Sequence, residues 1–326
     1  MKLANAALAV GVSLTLSALP HGAAHAQAYP SKTVRIINAF APGGPSGLLS
    51  RTIADKLSAA WGQPVIVDAK TGAAGNIGVE YAAKQPADGY TLLTMPAGNA
   101  VVNPLIFSKL GYETLRDFTP VTLLGRVENL LVVNPDTPVY NVRDLIAWAK
   151  QHPGKLSFSS PGVGSFGHVA GEQLKAASAI DVLHIPYKGT APAMNDVMGG
   201  AITMSFVQVS TALPNVKSGK LRALGLASPQ RSPLLPELPT VAEQGLPGFQ
   251  AVSWYALMAP AGTPKEIVAK VSGEVNRILK LPDVRKRLEG LGATPAGGTP
   301  EETADMIRAE AARIAPVVKA ANIRAN

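Results

Sequence analysis

Three short stretches of this chain combine residue types and spacings that could do chemistry. Gly162-Val163-Gly164-Ser165-Phe166-Gly167 is a GxGxxG pattern between a strand-like run and a helix-like run. Asp181 follows at about the distance of a ribose-binding acid, which is the dinucleotide arrangement. Pro161 interrupts the strand–loop junction, and the export leader described below points to a compartment poor in dinucleotides. The same geometry serves a carboxylate, with a backbone nest and a helix N-terminus as donors. Ser165 and His168 stand three apart, as a nucleophile and base could. Such a pair needs an orienting acid and an oxyanion hole, and no G-x-S-x-G frames Ser165. Hydrolysis is therefore not expected, and His168 is left to pack, cap or contact a ligand. The chain has no cysteine, and its five histidines form no ligand-spaced cluster, so no metal site and no cofactor is expected.

The third stretch runs from an apolar strand over residues 34–40 through Ala41-Pro42-Gly43-Gly44-Pro45-Ser46 into a helix marked by Leu48, Leu49, Ile53, Leu57 and Trp61. Gly43 and Gly44 lack a Cβ and are expected to take positive φ and present backbone. Ser46 is expected to cap the helix. Such a junction is either an anion site or a plain tight turn. No Lys-Ser/Thr pair closes it, so it is not a nucleoside-triphosphate loop. Phe40, Pro42, Gly43, Gly44 and Ser46 are its candidate contacts. Thr94, near the end of the third expected strand, lies on the same sheet edge. Trp254 and Tyr255 on a later strand are expected either to line a pocket or to pack in the core.

These residues must be positioned by the elements between them. Strands alternate with helices through residue 95, which predicts a doubly wound, mostly parallel sheet whose ligand loops lie at the strands' carboxyl ends. Around residues 121–133 two strands adjoin with little helix between them, marking a crossing into a second lobe of the same design. A return strand is expected near residues 252–258, followed by helices at 265–279, 283–291 and 300–321. The resulting division is a first lobe of residues 27–125 and 250–326 and a second of 126–249.

Composition is consistent with two packed lobes. Hydrophobic residues make up 47% and charged residues 16% of the 326 positions, so disorder is not expected. The net charge of +8 is scattered and aromatics are only 5%, which argues against nucleic acid as a partner. Lys2, the apolar residues 3–19 and Ala24-His25-Ala26 read as a signal peptide over residues 1–26, with cleavage after Ala28 nearly as good. The mature chain is expected to be exported, soluble and without a lipid anchor.

Beyond these readings, the chain resembles the Bug-type, TctC-like solute-binding proteins of tripartite tricarboxylate transporters, from about residue 29 onward. The resemblance is carried by Phe40-Ala41-Pro42-Gly43-Gly44 with Arg51, Asp88-Gly89-Tyr90-Thr91, and Ser160-Pro161-Gly162-Val163-Gly164-Ser165 with His168. Its strongest block is His184-Ile185-Pro186-Tyr187-Lys188-Gly189-Thr190-Ala191-Pro192-Ala193 with Asp196 and Gly199-Gly200. Gly219-Lys220-Leu221-Arg222-Ala223-Leu224, Leu238-Pro239-Thr240-Val241-Ala242-Glu243 and Ala259-Pro260-Ala261-Gly262-Thr263-Pro264 complete it. The resemblance implies a two-lobed, type II periplasmic-binding-protein fold closing over a small carboxylate, in a monomer that hands its ligand to inner-membrane transporter subunits. It places ligand contacts at residues 40–46 and at 160–168, including Ser160, Gly162, Gly164, Ser165, Phe166 and His168, with Tyr187 and Trp254 beside them. Many members have Asp where this chain has Gly47, which disfavours ligands with an amino group and favours plain or aromatic carboxylates. A carboxylate sensor without transport remains the alternative, with an exported hydrolase further off.

Overall fold

The computed structural model describes residues 29–290 and 292–325. The expected signal peptide lies outside them. Among the described residues eleven strands build two sheets. The first holds β1 (Val34–Asn38), β2 (Val65–Ala69), β3 (Thr91–Pro96), β4 (Phe118–Val127), β10 (Ser253–Pro260) and β11 (Ala293–Pro295), in the order β11-β4-β10-β3-β1-β2. The second holds β5 (Asn129–Val133), β6 (Ser157–Ser160), β7 (Leu183–Pro186), β8 (Met204–Gln208) and β9 (Arg222–Leu226), in the order β7-β6-β8-β5-β9.

Both sheets are mixed, yet most strands in each share one direction. β2, β1 and β3 are parallel neighbours, β10 runs against β3, and β4 runs against β10 and so points with the first three. In the second sheet β7, β6 and β8 are parallel, while β5 opposes both β8 and β9. Three strands are reversed: the short β11, which runs against β4 and follows a helix of its own lobe, and β5 and β10, which share one cause. Each of the latter two follows a crossing from the other sheet, so it enters at the carboxyl edge, where the sheets face each other, and must run backwards.

Side-chain alternation sorts the core into layers. Val34 and Ile36 pack with Leu49, Ile53 and Leu57 of helix Pro45–Trp61 and with Val268, Val271 and Val275 of helix Lys265–Leu279. Ile37, one position along, joins Val79 of helix Asn76–Ala83 and Ile307, Ile314 and Val318 of helix Pro300–Ala320 on the opposite face. In the second sheet Leu131 and Val133 meet Leu145 and Leu174, whereas Leu130 and Val132 meet Met194, Val197 and Ala212. Helix Phe166–Ser178 packs against helix Pro300–Ala320, and its Val169 is buried in the first sheet's layer.

The chain passes from β4 to β5 through Glu128, and it returns to β10 through Ala251 and Val252. Asn129 ties these two passages together. Its Nδ2 donates to the Ala251 carbonyl at 2.9 Å and its carbonyl accepts from Ala227 N–H at 2.8 Å. Ala251 N–H in turn donates to the Ala227 carbonyl at 2.7 Å.

Candidate functional site

Between the facing carboxyl edges lies a cavity of about 380 Å³. Phe40, Gly44 and Ser46 line it from the first loop, Gly162, Gly164, Ser165 and Phe166 from the GxGxxG loop, and Trp254 from β10. Pro42, Gly43, Thr94, Ser160, His168 and Tyr187 are not among its lining residues.

The first loop is built differently from its sequence expectation. Gly43 has φ +110°, a conformation that strains any side chain, but Gly44 is extended at φ −77°. Pro45 occupies the first turn, where its fixed φ suits a helix start, so Gly44 is the N-cap and there is no side-chain cap. Ser46 is thus two positions past the cap. It lies inside the helix and donates its hydroxyl to Asn38 Oδ1 at 2.6 Å. Asn38 Nδ2 donates to the Phe40 carbonyl at 2.7 Å, so this buried amide ties both sides of the loop to the end of β1. Thr94 is buried beneath, paired at 2.7 Å with Ser50 Oγ, which itself donates to the Ser46 carbonyl. It supports the loop and does not reach the cavity.

The second lobe's loop is equally supported from below. Ser165 caps helix Phe166–Ser178, its Oγ accepting from His168 N–H at 3.4 Å, while its own N–H donates to the Gly162 carbonyl at 3.1 Å. Ser160 is fully buried and its Oγ bonds the Gly162 carbonyl at 3.0 Å and His184 Nε2 at 2.7 Å. His168 is buried behind the loop, with Nδ1 accepting from Gly164 N–H at 3.1 Å. Burial pushes the His168 imidazole down to about 4, and burial with the neighbouring His168 ring pushes His184 down to about 3. Tyr187 turns its hydroxyl to the Asp196 carboxylate. Asp181 is exposed and lies off the cavity, so the dinucleotide arrangement lacks its acid. Gly164 has φ +74°, and a Cβ there would stand 2.0 Å from Ile106 Cδ1 of the other lobe. A side chain there would have to displace the tip of Ile106 and would sit in a strained left-handed conformation.

Several lining residues were missed by the sequence reading. Ala73 and Ala74 sit consecutively in the left-handed region, at φ +46° and +54°, and Ala74 lines the cavity. This strained turn is held by Asn99 Nδ2, which donates to the Ala74 carbonyl at 3.0 Å, and by Asn103 Nδ2, which reaches Asn76 Oδ1 at 2.6 Å. Buried asparagines amid small apolar residues were the available signal, since a buried amide must find partners. Gly189 and Thr190 open helix Thr190–Met198 onto the cavity, where a glycine before a helical run could have been read as its cap. Gln208 was missed too: its Nε2 donates at 3.2 Å to the Oη of Tyr255, a residue the sequence did offer as a pocket wall, and both line the cavity. Trp254 Nε1–H is buried and finds no acceptor among the described residues.

No charged side chain is among the lining residues. The starts of three helices are, with Gly44, Ser165 and Gly189 as their N-caps. Each presents unpaired N–H groups and on the order of half a positive charge to the cavity. An anion held there would be read by donor position and by the apolar walls that Phe40, Phe166 and Trp254 supply.

A family model described as tripartite tricarboxylate transporter family receptor matches residues 49–323. The protein BugT of Bordetella pertussis is 37% identical over 297 residues, covering 90% of this chain and 90% of BugT. Among solved structures, R. palustris Rpa4515 with adipate superposes with a TM-score of 0.83 at 37% identity, covering 91% of this chain and 99% of that one. MatC from Rhodopseudomonas palustris with bound malate gives a TM-score of 0.78 at 33% identity, covering 89% of this chain and 100% of that one.

Proposed function

Because this chain belongs to the tripartite tricarboxylate transporter receptor family, we propose that its cavity binds a small mono-, di- or aromatic carboxylate for delivery to membrane-embedded transporter subunits. The observation that carries this reading is the convergence of three helix N-termini on a cavity free of charged side chains. Adipate in Rpa4515 and malate in MatC are consistent with it. The ligand-binding residues on this reading are Phe40, Gly44, Ser46, Gly162, Gly164, Ser165, Phe166 and Trp254, joined by Thr190 and Tyr255. With no Asp or Glu on the lining, an ammonium group would find no counter-ion, which favours acids without an amino group.

The protein acts in the periplasm after removal of residues 1–26, as a monomer whose two lobes close around the ligand. β4 runs to Val127, so the lobes divide at Glu128 and at residues 251–252 rather than at the expected 125/126 and 249/250. It has no catalytic step: the Ser165 hydroxyl is engaged by the His168 backbone rather than by its ring, and His168 Nδ1 is engaged by Gly164.

A thermal-shift panel tests this. It would contain adipate, malate, benzoate, the corresponding amides, and amino acids. At a hundred times its dissociation constant a bound acid stabilises the fold by about 2.7 kcal/mol. At least one plain carboxylate should raise the melting temperature and its amide should not. Stabilisation by the amides or amino acids alone would reject the reading.

A further inference from the structure

Behind the GxGxxG loop, His168 and His184 lie face to face, with ring centroids 3.7 Å apart and planes 9° from parallel. His184 stacks in turn on Phe158 at 4.7 Å. Neither imidazole lines the cavity, and each holds one side of the loop that does. His168 Nδ1 accepts from Gly164 N–H. Ser160 Oγ donates to the Gly162 carbonyl, so His184 Nε2 is the donor in the 2.7 Å bond to that oxygen. Gly162 N–H also donates to Ser160 Oγ, at 3.3 Å. Gly162 and Gly164, at φ +149° and +74°, are thus each tied to a histidine, directly or through one hydroxyl.

We propose that His168 and His184 are a positioning pair, two stacked neutral imidazoles that hold residues 160–165 in the course required for carboxylate binding. This rests on the reading that the loop contacts the ligand. A proton on His168 Nδ1 would turn an N–H toward the Gly164 N–H and remove the acceptor. Charge on both rings would set two cations face to face inside the lobe. The depressed pKa of each ring agrees with a site built for the neutral form.

Few charged groups stand near the pair. Glu172 Oε1 lies 3.9 Å from His168 Nε2, one turn along the same helix, and its carboxyl is raised by burial and lowered by Lys175. β6 and β8 bring no titratable side chain. The helix Pro300–Ala320 brings Arg313, which is bonded to Glu310 and to the Gln250 carbonyl. Tyr187 and Asp196, beyond β7, bond each other.

The test uses ¹⁵N-labelled full-length mature protein, first without ligand. In wild type, the His168 Nδ1 resonance should be that of an unprotonated acceptor. The Gly162, Gly164 and Ser165 amide resonances should stay constant through neutral pH and move together with ring protonation as the pH falls towards about 4. His168→Phe keeps the stack but removes the acceptor, so it should shift those amides. His168→Asn, whose Oδ1 can stand near the Nδ1 position, should restore them.

With adipate as probe, His168→Phe should weaken binding about tenfold, the scale of one lost hydrogen bond, and His168→Asn should stay within about threefold of wild type. Loop amides unmoved by His168→Phe, or unmoved while the rings titrate, would overturn the proposal. If His168→Phe does not fold, the wild-type titration and His168→Asn decide. Failure of every acid to bind the wild type would instead reject the carboxylate reading, while the amide shifts still decide this one.

Discussion

At the scale of single residues, two lining positions separate a backbone contact from a side-chain contact. Gly44 is extended, and an added Cβ would meet no atom within 4 Å, so a larger residue strains nothing in the ligand-free protein. Its N–H nevertheless sits at a helix start on the cavity wall. Gly44→Val should therefore leave the melting temperature near wild type while abolishing carboxylate binding by calorimetry. Retained affinity would remove Gly44 from the contact surface. Trp254 poses the opposite case. Its indole N–H is buried without an acceptor among the described residues, an arrangement that costs about 1–3 kcal/mol unless a partner arrives. Trp254→Phe keeps an aromatic wall and deletes the donor. Ligand-free stability should hold or rise while affinity falls about tenfold; unchanged affinity would mean that the indole only fills space. The glycines and the tryptophan were legible in the sequence because their types are unusual at such places. Asn38 was not, because a polar residue ending an apolar strand gives no hint of which loop carbonyl or hydroxyl its amide will hold.

At the scale of elements, the strands and long helices were readable from period alone, as Ile36 and Ile37 show by facing opposite layers. The failures came where local chemistry overrode pattern. Pro45 started its helix one residue before the expected serine cap, and β11 is only three residues long and ends in proline, too short to carry a period. Gly47 is a further element-level detail. A Cβ there would stand 3.2 Å from Asn38 Nδ2 and 3.3 Å from Pro42 Cα, so the loop in this course packs closely on the helix start. The helix termini carry a prediction about charge. Arg51 and Lys188 do not line the cavity, so Arg51→Ala and Lys188→Ala should each leave affinity within about tenfold, or 1.4 kcal/mol. Removing one donor should cost more. Ser165 N–H is already used internally, so the informative position is Phe166, the first residue of its helix, where proline is well tolerated. Ser165 at φ −64° and ψ 158° already has the extended form that precedes proline. Phe166→Pro should bind more weakly than Phe166→Ala, since both lose the ring and only the former loses the N–H. Equal affinities, together with a collapse in either charge deletion, would mean that an ion pair holds the ligand.

At the scale of the whole molecule, the decisive features are the two passages between sheets and the tight contact across the cleft. Only Glu128 and the 251–252 segment carry the chain directly between β4 and β5 and into β10, and Asn129 couples them through its bonds to Ala251 and Ala227. On the proposed binding reading, these two short, mutually bonded passages are the hinge about which the sheets would rotate as rigid bodies. Across the cleft, Gly164 meets Ile106 so closely that any side chain at 164 must displace the Ile106 tip, and Phe40, Phe166 and Trp254 enclose the cavity from both lobes. This is the geometry of a closed cleft. A closed form that is favoured only when a ligand bridges the lobes must open when the ligand leaves, because the bridging contacts are the differential binding energy that shifts the equilibrium. Small-angle scattering should therefore give a smaller radius of gyration with a saturating carboxylate than without. Gly164→Leu supplies the control. Its side chain would collide with Ile106 only in the closed form, so it should keep the open radius in both conditions and weaken binding sharply. The strain of a side chain at φ +74° falls on the loop itself, so Gly164→Ala, with the same backbone strain and less bulk, separates that effect from propping. Should wild type keep one scattering curve through saturation while calorimetry shows the ligand bound, the lobes do not close on it, and the cavity is filled without hinge motion.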